Sequence, residues 1–452
     1  MVAPDFANPV EVFTKSAPAA SQMRQACVFC GSERYAFSRI TLTSAPAGWA
    51  ASSVPGSEAV LPRPLDEMAV KSSDVRNAEA VRVADSASGP AFQDREGRAA
   101  QEESVLKFGM VGAGAIAQTG FDGITMSGAA EVIAIADISQ KRREAYAARN
   151  KVPRIFADAA SLFREKDLDA VYIAVPNALH APLAVAALEA GKHVILEKPF
   201  ATSYAEAREV IDAASKAKRL FALGMNQRFT PGAQRIRALT EKGYFGDIYR
   251  LRAFWRRRPG IPSLGTWFGN RRLAGGGCFL DLGVHMVDLA MWTADNFDVE
   301  SVSGAVTTRF GNRGLGRGTW GNSDPEGLPF DVDDGASAFI RMKNGAVLQV
   351  EITWAAHQLE GDVYNLELFG SEAGARVYPG EIYRHDATLD APVNITGLGT
   401  PLRYPEADRF VNFVKAIRGE EPLCVTHEQA LAVQRVIDAV YESSALRKEI
   451  RL

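Results

Sequence analysis

From residue 105 onward the apolar positions follow two rhythms. Short solid apolar runs at 106–111, 131–136, 170–175, 193–197 and 220–225 predict buried strands. Between them, segments after residue 116 and at 140–150, 179–190 and 205–217 carry a helical pattern, with Gly191 placed to end the third. Strand and helix in strict alternation predict a doubly wound parallel sheet. The rhythm then changes. Residues 248–255 predict one long strand, and 336–342, 346–354 and 363–369 predict three more, with the hairpin signal Lys343-Asn344-Gly345 between two of them. Residues 407–417 and 428–446 return to a helical pattern.

The expected fold class is therefore α/β plus α+β. A doubly wound Rossmann domain (105–226) comes first, and then a second domain (227–402) with a large, mostly antiparallel open sheet. Helices at 403–452 pack back on the core. Residues 1–104 show no sustained period and are rich in Ala, Ser and Pro, so they are expected to form a disordered or low-complexity extension. Met68 is an alternative start within that extension. No internal repeat is visible.

Composition narrows the function classes. The 452 residues are 47% hydrophobic and 23% charged, with a net charge of −3, which gives no general pull toward nucleic acid or a membrane surface. The basic, aromatic stretch from Arg250 to Arg258 is locally suited to single-stranded nucleic acid, but the near-neutral balance argues for a strand end, a subunit contact or a substrate grip. No uninterrupted apolar run approaches the ~20 residues of a spanning helix, and the first residues lack a secretory pattern, so a cytoplasmic protein is expected. Four cysteines are too few for a disulfide scaffold, and Cys27-Val-Phe-Cys30 has no second pair that would make it a zinc site. No metal is expected.

The first chemical signal is Gly112-Ala-Gly114-Ala115-Ile116-Ala117, a G-x-G-x-x-A fingerprint between a predicted strand and a helix. Gly112 permits the tight turn, Gly114 lets the backbone approach a pyrophosphate, and Ala117 lets the helix pack close to the sheet. The free N–H groups opening that helix favour a diphosphate. Asp137 ends the next strand about twenty residues on, where a carboxylate accepts from the adenosine ribose hydroxyls. This predicts NAD as cofactor. Lys141, Arg142 and Arg143 lie just beyond and keep NADP possible.

A second signal is Glu197-Lys198-Pro199 at the carboxyl end of a predicted parallel strand, where open α/β sheets place ligands. The Lys198–Pro199 bond is a candidate cis peptide. The third is Gly275-Gly-Gly followed by Asp281, His285 and Asp288. The glycines suit a sharp turn beside a ligand. The spacing i, i+4, i+7 puts the three polar side chains on one helix face. An acid–base pair, a metal site and an ordinary buried histidine all remain open on this pattern.

Together these residues resemble the Gfo/Idh/MocA family (glucose-fructose oxidoreductase, inositol dehydrogenase and rhizopine catabolism proteins) over residues 105–452. The resemblance rests on Gly112 to Ala117, Val175-Pro176-Asn177-Ala-Leu-His180, Glu197-Lys198-Pro199, Gly224-Met-Asn226-Gln-Arg228-Phe229 and Gly275-Gly-Gly with Asp281 and His285. It implies a dehydrogenase that oxidises a secondary hydroxyl of a sugar, polyol or inositol, or reduces the matching keto-sugar. Lys198 looks like the active-site lysine, His285 the proton-transfer residue and Asp281 the acid beside it. Val175, Pro176, Asn177, His180 and Glu197 look like the surroundings of the nicotinamide ribose, with Asn226 at the domain junction. Arg228 and Trp267 look like substrate contacts.

Two other classes fit the same resemblance: an NAD-dependent glycoside hydrolase working by transient oxidation, and a non-catalytic sugar or dinucleotide sensor. Retention of both Lys198 and His285 argues for the dehydrogenase. The expected partner is a small sugar or polyol, with no nucleic acid and no membrane. A sheet with one face bare of helices implies a homodimer or homotetramer.

Overall fold

The computed structural model describes residues 105–452, except 320, 322, 325 and 326. The expectations for 1–104, including the two cysteines there and the alternative start, lie outside the described residues.

The first unit is a parallel sheet flanked by helices. Its elements are β1 (Leu106–Val111), α1 (Ala117–Met126), β2 (Ala130–Ala136), α2 (Gln140–Asn150), β3 (Arg154–Phe156), α3 (Ala159–Phe163), β4 (Ala170–Ile173), α4 (His180–Glu189), β5 (His193–Leu196), α5 (Tyr204–Ala217) and β6 (Phe221–Leu223). The strand order β3-β2-β1-β4-β5-β6 is doubly wound. Its central strands are solidly apolar because helices cover both faces: Met110, Val171, Ile173 and Leu196 are fully or almost fully buried. Ser139, Asp158 and Ser203 accept backbone N–H groups at the starts of α2, α3 and α5.

The second unit follows with α6 (Pro231–Glu241), β7 (Ile248–Arg257), α7 (Arg271–Ala274), a π-helical turn (Phe279–Gly283) that runs directly into α8 (Val284–Thr293), β8 (Val299–Thr307), β9 (Gly335–Met342), β10 (Val347–Thr353), β11 (Asp362–Gly370), β12 (Gly374–Arg376), β13 (Glu381–Asp386) and β14 (Ala391–Ile395). α9 (Arg409–Arg418), α10 (His427–Leu446) and β15 (Ile450–Arg451) complete the chain. Nine strands form one sheet in the order β14-β13-β12-β11-β7-β10-β9-β8-β15, antiparallel except between β7 and β10. The Lys343–Gly345 turn joins β9 to β10, with Gly345 at φ +90°, as the hairpin signal predicts. Strands β3, β8 and β12 to β15 were not legible as apolar runs, because they are short or half-exposed.

One stretch, Arg271–Thr293, is long and apolar enough by composition to cross a membrane, against the sequence expectation; 83% of its apolar window is buried inside the protein. It is the central core helix. Met286, Val287, Leu289 and Ala290 are all 1% exposed or less.

Candidate active site

The turn from β1 into α1 is built as its glycines require. Gly112 sits at φ +99°, and a Cβ there would lie 2.1 Å from the Ala174 carbonyl oxygen, so no other residue fits without a shift. At Gly114 a Cβ would meet nothing within 4 Å. The space beside it is open, and Gly114, Ala115 and Ile116 are exposed there at the start of α1 while Ala117 is buried. That is the opening a diphosphate needs at a helix N-terminus. Close helix packing is completed one turn later, where a Cβ on Gly120 would lie 2.1 Å from the Tyr172 ring.

Asp137 is anchored by backbone N–H groups on both oxygens. Its Oδ2 accepts the Ala113 N–H at 2.8 Å and its Oδ1 accepts the Ser139 N–H at 2.7 Å. Arg142 adds an ion pair at 3.0 Å. Burial pushes the carboxyl upward, but these donors outweigh it and hold the group below the ordinary carboxylate range. Lys141 is exposed and makes no contact with Asp137, so Arg142 is the cation that reaches this position. Ile138, next to Asp137, is an apolar side chain left 87% exposed.

Lys198 leaves the end of β5 through a cis Lys198–Pro199 bond. Its Nζ donates to Asp281 Oδ1 at 2.6 Å and to the Asp281 carbonyl at 3.1 Å. Asp281 Oδ2 accepts the Trp354 indole N–H at 2.8 Å. Burial raises the Asp281 carboxyl, while Lys198, Arg257 and the Trp354 hydrogen bond pull it below its ordinary value, so it is an anion.

His285 lies one helical turn further along. It is 7% exposed, with its ring 6.0 Å from that of Trp255. Burial and the charges of Lys198, Arg409 and Arg257 hold its imidazole well below the usual value, against the opposing pull of Asp281. It is neutral at physiological pH. Nδ1 is buried and makes no hydrogen bond within the protein.

Several expectations need correction. Asp281 lies in the π-turn at Phe279–Gly283, while His285 and Asp288 lie one turn apart in the regular helix α8, and the three side chains take different partners. Asp281 faces Lys198, whereas Asp288 forms a fully buried ion pair with Arg228 at 2.6 Å. They do not form a metal-ligand set, and Asp281, with both oxygens engaged, does not orient His285 through a hydrogen bond. Arg228 is 0% exposed. Besides Asp288 it donates to the Cys424 carbonyl at 3.0 Å and to Gln429 at 2.5 Å, so it braces the core and cannot touch a substrate.

His180 is likewise buried, with Nδ1 2.7 Å from the Pro199 carbonyl and Nε2 3.0 Å from the Val175 carbonyl. It fixes the lysine-bearing turn from behind. Glu197 is also 6% exposed only, and accepts from Tyr172 at 2.7 Å and from Arg409. The Asn177 amide donates to the Ala274 carbonyl at 2.8 Å, tying the turn after β4 to α7. Val175 and Pro176 are half-buried beside it and Asn226 is exposed at the end of β6. Trp267 is half-buried and stacks on Phe268 at 3.9 Å in the segment between β7 and α7.

The basic, aromatic stretch around Trp255 supplies the sheet side of the site, and only Trp354 was not marked in the sequence. Leu251, Ala253, Trp255 and Arg257 alternate onto the face of β7 that meets α8. Trp255 stacks on Tyr364 at 4.8 Å and donates to Asp362, which also pairs with Arg257 at 3.2 Å. Trp354 follows the end of the neighbouring parallel strand. The β7–β10 pairing that brings these positions together is not readable from sequence.

Comparison with known proteins shows the family and the fold. Residues 106–225 match the oxidoreductase family with an NAD-binding Rossmann fold, and residues 233–376 match the GFO/IDH/MocA C-terminal domain. The chain is 29% identical over 360 residues to the D-glucoside 3-dehydrogenase of Escherichia coli (strain K12), covering 78% of this chain and 100% of that protein. It is 30% identical over 326 residues to the levoglucosan dehydrogenase of Pseudarthrobacter phenanthrenivorans, covering 64% of this chain and 81% of that one. The solved structure of a levoglucosan dehydrogenase with NADH and L-sorbose superposes with a TM-score of 0.66 at 25% identity, over 76% of this chain and 98% of that one.

Proposed function

The chain belongs to the Gfo/Idh/MocA family of NAD-dependent oxidoreductases, and we propose that it oxidises a secondary ring hydroxyl of a sugar, glycoside or polyol at a centre made by Lys198, His285 and Asp281. The observation that carries this reading is the meeting of the Lys198 ammonium with Asp281 one helical turn from a buried, neutral His285.

NAD fits the open space at Gly114, the start of α1 and the carboxylate of Asp137, and when bound it supplies a hydride acceptor. The rest of the chemistry falls to the protein. His285 Nε2 takes the proton of the reacting hydroxyl. The Lys198 ammonium stabilises the alkoxide as charge develops on that oxygen. Asp281 holds the ammonium in place, and the Trp354 N–H holds Asp281. Trp255 and Tyr364 exclude water on the sheet side, while Arg257 and Asp362 offer donors and acceptors to neighbouring hydroxyls.

The sheet face away from α8 supports a homo-oligomer. Arg250 lies over Phe369 at 4.1 Å, and Arg252–Glu367 and Arg256–Glu351 form loose pairs at 3.5 and 3.8 Å. A face that mixes both charge signs with aromatic rings is self-complementary.

A panel of methyl glucosides, levoglucosan and inositols, assayed with NAD and with NADP by nicotinamide absorbance, tests the reaction. NADH formation with at least one of them is expected. Release of free sugar from an aryl glucoside with no net absorbance change would point instead to hydrolysis.

A further inference from the structure

The glycine triplet ahead of Asp281 is explained by protein groups. A Cβ on Gly277 would lie 1.8 Å from the Asp333 carbonyl oxygen, and one on Gly276 would lie 2.3 Å from the Tyr441 hydroxyl. Gly275, at φ +79°, abuts Thr202. The triplet therefore makes room for a clamp drawn from two distant parts of the chain, and Gly275 supplies the sharp turn that the glycines predict.

The clamp is closely bonded. Asp333 Oδ1 accepts the Gly277 N–H at 2.7 Å and the Tyr441 hydroxyl at 2.9 Å. Asp333 Oδ2 accepts the Phe279 N–H at 2.9 Å. The Tyr441 oxygen in turn accepts the Leu280 N–H at 3.1 Å. The donors around the first π-helical residues are thus taken by a carboxylate and a phenol from outside the helix. A π-turn is rarer than the α-helix it interrupts. If it relaxed to α, one residue's worth of rotation, about 100°, would carry Asp281 away from Lys198.

We propose that Tyr441 and Asp333 are positioning residues for the reaction: they hold the π-turn, and the π-turn sets the Lys198–Asp281 contact. Neither touches the substrate. Tyr441 acts from α10, 161 positions beyond the backbone N–H it holds. The idea rests on the proposed roles of Lys198 and Asp281.

The test is Tyr441→Phe, which keeps the ring and removes the hydroxyl, with Gly276→Ala pressing on the same hydroxyl from the other side should the first variant not fold. Turnover is counted per NAD-binding site, so misfolded protein does not lower it. The expected result is a kcat about 10-fold or more below wild type, NAD affinity within about twofold, and a larger primary isotope effect with a substrate deuterated at the reacting carbon. Wild-type kcat per site in a folded variant overturns the proposal. A Lys198→Ala control separates the two readings: if that variant also turns over normally, the active-site assignment has failed. Should no sugar in the panel react, a crystal structure of Tyr441→Phe decides, with an intact Lys198–Asp281 contact and π-turn counting against the clamp.

Discussion

Lys198 Nζ and Asp281 Oδ1 lie 2.6 Å apart although 83 positions separate them in the chain, and each side chain is mostly buried. One comes from the carboxyl end of β5 in the parallel sheet and the other from a turn in the second unit, so this bond joins the two halves of the centre. Lys198→Met keeps the stem but removes the charge. The expected loss in kcat is about 100-fold or more, because a donor aimed at the developing alkoxide disappears. Asp281 is then left without its cation, which costs about 3 kcal/mol of stability. Steady-state kinetics and chemical unfolding check the two parts.

Gly112→Ala and Gly114→Ala should separate folding from binding. The first meets the Ala174 carbonyl and a left-handed backbone, so the variant should unfold earlier or fail to accumulate. The second meets no protein atom, so its melting temperature should match wild type while NAD affinity, measured by NADH fluorescence, falls about 10-fold or more as the methyl group blocks the pyrophosphate.

Asp137 and Arg142 should act oppositely on cofactor choice. Asp137→Ala removes the ribose acceptor and should weaken NAD binding far more than NADP binding. Arg142→Ala removes the cation paired with it, and should weaken NADP more than NAD. Dissociation constants for both cofactors in both variants form the check. Equal losses in Asp137→Ala would tell against its ribose role.

Buried histidines predict acid sensitivity. His285 is held well below its usual value, His193 is pushed down to about 4 by burial and by Arg219, and burial also lowers His180 against its two carbonyl contacts. In the unfolded chain all three take up protons near pH 6.5. Below about 6.5 the unfolded state then binds more protons than the folded one, so stability is full above that point and is lost as pH falls, by up to ~1.4 kcal/mol per pH unit for each histidine. Urea midpoints across this range should fall, less steeply in His193→Gln. By the same sign, kcat/KM should stay level from neutral pH down past about 6.5, because His285 remains a free base. A His285-dependent loss of rate centred at neutral pH would contradict this.

Arg228→Lys should affect stability rather than substrate use. A lysine cannot reproduce the fork on Asp288 or reach Cys424 and Gln429 together. The expected destabilisation is about 3 kcal/mol, read from unfolding, with the KM for sugar of the folded fraction unchanged.

The parallel sheet was legible because both of its faces are covered, so its strands read as unbroken apolar runs ended by residues with chemistry: Gly112, Asp137 and Lys198. The candidate site was half legible. Lys198, Asp281 and His285 were visible as motifs, but their mutual arrangement depends on a π-turn, which leaves no periodic trace over five residues. Arg228, His180 and Glu197 looked functional by type and motif, and only burial with paired partners shows them to be braces. Trp255 and Arg257 were visible only as part of a basic, aromatic stretch, and Trp354 was not marked at all. They belong to strands whose neighbours are far away in the chain, so nothing local marks which ends meet α8.

The ion pair between Glu197 and Arg409 bears on biosynthesis. The glutamate next to the proposed reactive lysine waits for a cation encoded 212 positions later. The Tyr172 hydroxyl and the Lys198 charge come from the nucleotide-binding half itself, but the guanidinium that pairs with Glu197 is absent until α9 has been made. The buried charge of that half is thus balanced in full only once the last helices are in place.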